Sequence, residues 1–161
     1  MGCSSQLPDA KLKYHGVEIG TNGMAYFVLS ITNQAPSALT FMSVSPVERQ
    51  WKIEILNSNH WQKISLWAED SFGCDDVIVA PFENKKIFAC AYPITNAWRL
   101  GLMYSFVRST VTLEKLGIPR MVWVYENPIS SNQIQSIDSR AWGKLYPERE
   151  GNVPKVKSGR R

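Results

Sequence analysis

Strict alternation of apolar and polar residues over short segments constrains this chain more than any other feature of its sequence. Residues 24–32, 50–56, 85–92 and 98–105 each place apolar side chains at every second position. Since successive side chains of a β-strand point to opposite faces, each segment predicts a strand with one face in the core. The predicted core positions on these faces are Phe27, Leu29, Ile31, Ile53, Ile87, Trp98, Leu100 and Leu102.

Turn signals separate these segments at the short spacings typical of an all-β domain. Asn22-Gly23 is a strong hairpin signal between the first two predicted strands. The segment with helical character covers residues 109–116, with Ser109 as the N-cap and Gly117 at the C-terminal end. We therefore predict an all-β fold: an immunoglobulin-like antiparallel β-sandwich of about 7–9 strands with one short helix near 109–116. An open barrel is the alternative, and a helix-free spacing between strands argues against a parallel α/β sheet.

Three segments resemble parts of bacterial immunoglobulin-like domains. The stretch FVLSITNQAPSALTFMSV, residues 27–44, resembles their opening hairpin, in which an apolar strand ends in a Thr-Asn step before a short turn. Residues 77–93 resemble the edge strand, turn and central strand that follow, although the turn at 81–84 lacks the usual glycine, and residues 97–105 resemble the next central strand. Over roughly residues 12–107 the chain is thus similar to uncharacterised small bacterial immunoglobulin-like β-sandwich proteins, often encoded next to membrane anchors. The resemblance implies no catalytic residues.

Composition divides the chain into three parts. Residues 1–11 are an N-terminal lead, and residues 12–125 are the predicted β-sandwich domain. Residues 126–161 are a C-terminal extension, of which the first part is expected to pack on the domain and the basic tip to be disordered. Seven basic and four acidic residues in this extension account for +3 of the net charge of +4, which comes from 18 basic and 14 acidic residues. Because the domain itself carries only +1, nucleic acid is not expected as a partner.

Signals for catalysis and metal binding are scarce. His15 and His60 have no carboxylate or cysteine at metal-ligand spacing, and the sequence has no Gly-rich phosphate loop or nucleophile motif. Residues 69–76 hold four carboxylates, whose spacing does not fit an EF-hand, so a solvated acidic loop is a simpler interpretation than a calcium site. We expect no enzyme and no cofactor. The alternative is a small hydrolase whose site assembles only in the fold.

The three cysteines are Cys3, Cys74 and Cys90, and two free thiols are favoured over a bridge between the last two. Met1-Gly2-Cys3 followed by two serines looks like the junction of a bacterial lipoprotein, without the hydrophobic signal that should precede it. A second reading is N-myristoylation at Gly2 with palmitoylation of Cys3, although Gln6 stands where that motif wants Ser or Thr. The third reading is an unmodified N-terminus. Membrane attachment through Cys3 would place the protein in the cell envelope; otherwise we expect it in the cytoplasm.

Six tryptophans in a chain of this length point to aromatic surfaces as well as to a core. Trp61 and Trp67 flank a polar segment, which makes them the candidate binding residues, since exposed aromatic rings stack on sugars or contact proteins. Trp51 and Trp98 are in phase with core positions. The predicted function is a non-enzymatic domain of the bacterial cell envelope that binds a protein or a carbohydrate. A cytosolic interaction module with a basic tail is a further alternative.

Overall fold

A computed structural model describes residues 9–43, 51–64, 66–67, 75–107 and 119–145 of the chain. These residues form mostly antiparallel β-strands joined by short turns. The predicted all-β class is therefore confirmed.

The described part contains eleven strands and one helix. The strands are β1 (Ala10–Ile19), β2 (Ala25–Asn33), β3 (Leu39–Ser43), β4 (Trp51–Asn57), β5 (His60–Ile64), β6 (Leu66–Trp67), β7 (Asp75–Val79), β8 (Asn84–Cys90), β9 (Trp98–Phe106), β10 (Arg120–Glu126) and β11 (Lys144–Leu145). The helix α1 spans Ser131–Ser136.

Helix α1 begins at a local capping signal. The Ser130 hydroxyl accepts a hydrogen bond from the Gln133 backbone N–H, 3.2 Å away, which satisfies one of the free donors of the first turn. The predicted helix at 109–116 lies outside the described residues. Within the described residues, no helix has the length and apolar character that crossing a membrane requires.

The smaller sheet has the order β1-β2-β8, and both of its pairings are antiparallel. The turn between β1 and β2 contains Asn22 and Gly23, as predicted. Gly23 has φ 78°, a value that glycine adopts without steric cost, and the Asn22 side chain accepts from the backbone N–H of Met24 at 3.0 Å. The Asn-Gly hairpin is thus confirmed.

The larger sheet has the order β5-β4-β9-β3-β7, and β10 also pairs with β9. Strands β3 and β4 follow one another along the same edge of β9, because the N–H of Val107 donates to Ala38 and the carbonyl of Ala97 accepts from Leu56. Residues 97 and 107 are ten positions apart, so their backbone groups point to the same side. Strand β10 pairs with the other edge of β9. Among the described pairings, β5 pairs with β4 alone.

The hydrophobic core lies between the inner faces of the two sheets. At its centre the rings of Phe27 on β2 and Trp98 on β9 stack with centroids 4.6 Å apart, and the Tyr14 ring meets Trp98 edge-on at 5.1 Å. All of the predicted core residues are buried, so the assignment of strand faces is confirmed. These buried residues are Phe27, Leu29, Ile31, Ile53, Ile87, Trp98, Leu100 and Leu102.

Strand β2 departs from the pattern of one buried face. Val28 and Ser30, on the outer face of the smaller sheet, are buried as well. Their cover comes from neighbouring strands: Val28 is opposite Phe88 on β8, and the Ser30 hydroxyl lies 2.7 Å from Nε2 of His15 on β1. A central strand loses exposure on its outer face when long side chains of both neighbours fold over it.

Asn33, at the end of β2, is a buried polar residue that joins two turns. Its Nδ2 donates to the carbonyls of Ser37, Val79 and Ala80 at 2.8, 3.2 and 3.1 Å, and its Oδ1 accepts from the Ala35 N–H. Burying an amide is costly unless it is hydrogen-bonded, and here both ends of the amide are used. The connection from β2 to β3 is therefore held against the connection from β7 to β8.

The segment after β10 packs on the opposite end of the fold. Ile129, Ala141 and Trp142 are buried in the core cluster. The backbone N–H of Ala25 donates to Ala141 at 2.8 Å, and that of Gly143 donates to Ala91 at 2.7 Å. These contacts tie the end of the described chain to the first residue of β2.

Candidate functional site

The two candidate binding tryptophans lie on strands that are consecutive in the chain but belong to different sheets, since β5 pairs with β4 and β6 pairs with β11. Trp61 is on β5, and its side chain is 36% exposed. Trp67 is on β6, where it pairs with Lys144, but its side chain is not among those the structure describes. Cys3 and the acidic loop also lie outside the described residues, apart from the backbone of 75–76.

A row of polar side chains crosses the outer face of the larger sheet beside Trp61. Strand pairing places Lys63, Glu54, Arg99 and Tyr125 opposite one another on β5, β4, β9 and β10. Residues directly opposite in antiparallel strands share a face, so the four side chains form one line across four strands.

Arg99 is the centre of this face. Its guanidinium carbon lies 4.4 Å from the ring centroid of Trp61 and 4.5 Å from that of Trp123, with the Tyr125 ring at 5.8 Å. Trp61 and Tyr125 also touch each other edge-on, with centroids 5.9 Å apart. We call Glu54, Trp61, Arg99, Trp123 and Tyr125 the outer aromatic patch.

A carboxylate fixes the guanidinium between the rings. Nε of Arg99 donates to Oε2 of Glu54 at 2.6 Å, and a terminal nitrogen reaches the same oxygen at 2.5 Å. The side chains are only 20% and 17% exposed, so this ion pair is screened less than one in open water. Desolvation works to lower the pKa of Arg99, but hydrogen bonds and charge from Glu54 and Tyr125 outweigh it and raise that pKa. Arg99 therefore carries its positive charge against the two indoles.

Gly101 makes room for one wall of the patch. A β-carbon at this position would lie 2.7 Å from ring atoms of Trp123 and 2.7 Å from the methyl carbon of Met121. Such distances are far inside van der Waals contact, so the Trp123 indole can lie across β9 only where that strand has no side chain. Gly101 is directly opposite Trp123 in the pairing of β9 with β10.

The patch offers aromatic faces and edges, one hydroxyl and an ion pair, which are groups for binding. In the described part of the chain, no three His, Cys, Asp or Glu side chains are grouped so that they could hold a metal ion. His15 and Ser30 come within 2.7 Å on the other sheet, but Ser30 is 6% exposed, and an enclosed hydroxyl is poorly placed to attack a substrate.

Sequence reasoning identified Trp61 in this patch and missed its other members. Trp123 and Tyr125 alternate with Val122 and Val124, which is a signal that they face outward from β10. No local pattern indicates that Arg99 lies between two indoles, because Trp61, Arg99 and Trp123 are far apart in the chain.

Comparison of the chain with protein-family models, with curated protein sequences and with solved structures found no match.

Proposed function

We propose that this protein is a non-catalytic binding domain that docks a protein partner on the outer aromatic patch. The observation that carries the proposal is the Arg99 guanidinium held between Trp61 and Trp123 beside Tyr125, whose side chain is 60% exposed. Trp, Tyr and Arg are the residues most enriched at the energetic centres of protein interfaces. Here all three types meet on one sheet face.

The patch is ordered before a partner arrives, which favours affinity. The Arg99–Glu54 pair and the two indoles restrain one another, so little side-chain freedom remains to be lost on binding. Tyr125 adds a large, rigid ring with only two rotatable side-chain bonds. Little of the interaction energy is therefore spent on ordering this surface.

A protein partner suits this geometry better than a sugar. Stacking on a sugar requires an open ring face, and the guanidinium of Arg99 already covers one face of Trp61 and one of Trp123. The exposed ring of Tyr125 is a single stacking position. An aromatic centre with a polar margin is the usual anatomy of a protein interface.

The proposal includes the finer fold and the location. The three-stranded sheet β1-β2-β8 packed on a sheet that contains β9 and β10 supports an immunoglobulin-like sandwich and the likeness to small bacterial domains of that class. A lipid on Cys3 would hold the domain at the cell envelope, with the outer aromatic patch free to meet its partner.

Cross-linking and calorimetry test the proposal. The full chain is cross-linked in extracts of its source, the attached protein is identified, and its affinity is measured with Trp61→Ala and Tyr125→Ala. Each variant should bind about tenfold more weakly, the loss expected from an interface anchor. Phe88→Ala is the matched control, since Phe88 is an exposed aromatic side chain on the other sheet, at 41% exposure, and should leave the affinity unchanged.

Two outcomes would contradict the proposal. One is a partner that binds the double variant of Trp61 and Tyr125 as tightly as the natural chain, with circular dichroism showing an intact fold. The other is a glycan array on which the natural chain binds an oligosaccharide and Tyr125→Ala does not, which would assign the patch to a carbohydrate.

A further inference from the structure

The turn between β7 and β8 presents an aromatic ring to solvent. The N–H of Glu83 donates to the carbonyl of Ala80 at 3.1 Å, which closes a four-residue β-turn with Pro81 and Phe82 at its centre. The Phe82 side chain is 71% exposed, more than any other large apolar side chain in the described part of the chain.

Phe82 also has a backbone conformation that disfavours its own residue type. Its φ is 60°, in the left-handed region that glycine adopts freely and that other residues adopt at a cost of about 1–2 kcal/mol. The third position of a turn with Pro second and φ positive third is normally glycine or asparagine. The phenylalanine therefore weakens the turn, and its exposed ring adds little packing. Stability of the fold does not explain why a phenylalanine occupies this position, whereas a binding role would.

The base of the turn is rigid. The Asn33 amide donates to the carbonyls of Val79 and Ala80, and the Asn33 backbone N–H donates to Glu83 at 2.9 Å. The Glu83 carboxylate accepts from the N–H of Ala80 at 2.7 Å. The ring of Phe82 thus projects from a fixed support.

The first described residues of the chain lie at this same end. The N–H of Gln34 donates to Asp9 at 2.8 Å, and Ala10 pairs with Asn33, the residue that holds the turn. Cys3 is six residues before Asp9, a separation that spans at most about 20 Å of extended chain. A lipid on Cys3 would bring a bilayer to the end of the molecule from which Phe82 projects.

Lysines lie around the turn. Lys85 donates through Nζ to the carbonyl of Ile78 at 3.0 Å. Lys11 is exposed and lies in the same row across the sheet as Asn84, the residue after the turn, because Thr32 pairs with both of them. Two acids are also found here: Asp9 forms an ion pair with Arg120, and the Glu83 carboxylate accepts from the turn and keeps its charge. Lys11, Lys85 and Arg120 outnumber these two acids. Cations beside an apolar tip match the charge of anionic headgroups.

We propose that the Ala80–Glu83 turn inserts the Phe82 ring into the interface of an anionic lipid membrane and orients the domain on it. The inference rests on the envelope location proposed above, and it is independent of what the outer aromatic patch binds. A lipid surface suits the turn better than a protein does, since a single projecting turn offers far less than the area of a stable protein interface, whereas an acyl boundary needs no shape complementarity.

Vesicle cosedimentation of the full chain is the test. Vesicles of phosphatidylcholine with about 30% phosphatidylglycerol should bind the natural chain more strongly than phosphatidylcholine alone, as expected for an anionic surface. Phe82→Gly should lower the partition coefficient about fivefold and Phe82→Leu should keep most of it, since a leucine retains the apolar area. Phe88→Ala, which removes an exposed ring elsewhere, should leave it unchanged.

Stability separates this role from a structural one. Phe82→Gly should raise the midpoint of thermal unfolding, because glycine relieves the backbone strain, while it lowers vesicle binding. The proposal is overturned if the natural chain does not partition at millimolar lipid, or if Phe82→Gly partitions equally well. Association with a protein that Phe82→Gly abolishes, without any partition into lipid, would also overturn it and assign the turn to a protein. The partner assay on Trp61 and Tyr125 is unaffected by any of these results.

Discussion

Trp98 and Arg99 are consecutive residues of β9, and each is enclosed by aromatic rings, but on opposite faces of the sheet. Trp98 is fully buried against Phe27 and Tyr14, and its indole N–H donates to the carbonyl of Asn127 at 3.0 Å. Arg99 lies between two indoles on the outer face and retains 20% of its side-chain exposure. The comparison shows that one strand can build a dry core and a charged recognition surface from alternate residues.

What fills the centre of each aromatic cluster decides its role. An indole at the centre stabilises the fold because its apolar surface is removed from water, and each neighbouring ring that covers it adds to the free energy of unfolding. A guanidinium at the centre retains a charge, needs Glu54 to remain paired, and leaves ring edges in water. We therefore expect changes on the inner face to affect unfolding, and changes on the outer face to affect binding.

The largest expected effect is on the inner face. Trp98→Ala should lower the free energy of unfolding by about 3–5 kcal/mol, since it removes the largest fully buried side chain among the described residues and leaves a cavity. Urea denaturation followed by circular dichroism measures the change. Tyr125→Ala, on the outer face, should cost less than about 0.5 kcal/mol. Equal losses for the two variants would abolish the distinction between the faces.

An intermediate effect is expected at the centre of the outer aromatic patch. Arg99→Ala should lower the free energy of unfolding by about 1–3 kcal/mol, because the largely enclosed Glu54 carboxylate would lose the charged hydrogen bonds that Arg99 donates to it. Lys86→Ala is the matched control: Lys86 lies 5.3 Å from the Phe88 ring and pairs with Glu18, but both charged side chains are more than half exposed. That exposed pair should contribute less than about 1 kcal/mol. A loss at Lys86 as large as that at Arg99 would show that enclosure by rings is not what matters.

The smallest expected effect is a pH dependence of stability that comes from Tyr14, which packs against Phe27 and Trp98. Burial, followed by the charge of Glu126, raises the pKa of Tyr14 from 10.0 to about 12. Because the unfolded chain loses this proton first, the stabilisation is complete below pH 10 and is lost as the pH rises toward 12. The slope stays below about 1.4 kcal/mol per pH unit, the limit for one proton, and is further reduced by the partial exposure of the ring.

Urea denaturation between pH 9 and 12 measures this slope. Tyr14→Phe should keep the packing against Trp98 and remove the part of the slope that comes from ionisation of Tyr14. Glu126→Gln should lower the pKa of Tyr14 and so shift this loss of stability to lower pH. A slope unchanged in Tyr14→Phe would contradict the assignment.

Much of the fold follows from local pattern, and the departures have local causes too. The Asn22-Gly23 hairpin and the buried faces of β2 and β9 were predicted because each needs only neighbouring residues. Helix α1 is not predicted from the sequence, which indicates only a C-terminal extension over residues 126–161, although Ser130 and Gln133 form a recognisable N-cap pair. Six residues are too few for helical periodicity to show.

By itself, the sequence determined the all-β class, the inward faces of the alternating strands, the Asn22-Gly23 turn and the surface position of Trp61. The tertiary structure alone decided that Arg99 lies between Trp61 and Trp123, and that Phe82 projects from the end of the fold at which Asp9 lies. The reason is that strand alternation is a property of consecutive residues, whereas register and sheet order join residues that are tens of positions apart. Those long-range pairings brought one arginine, one carboxylate and three rings together on the outer face.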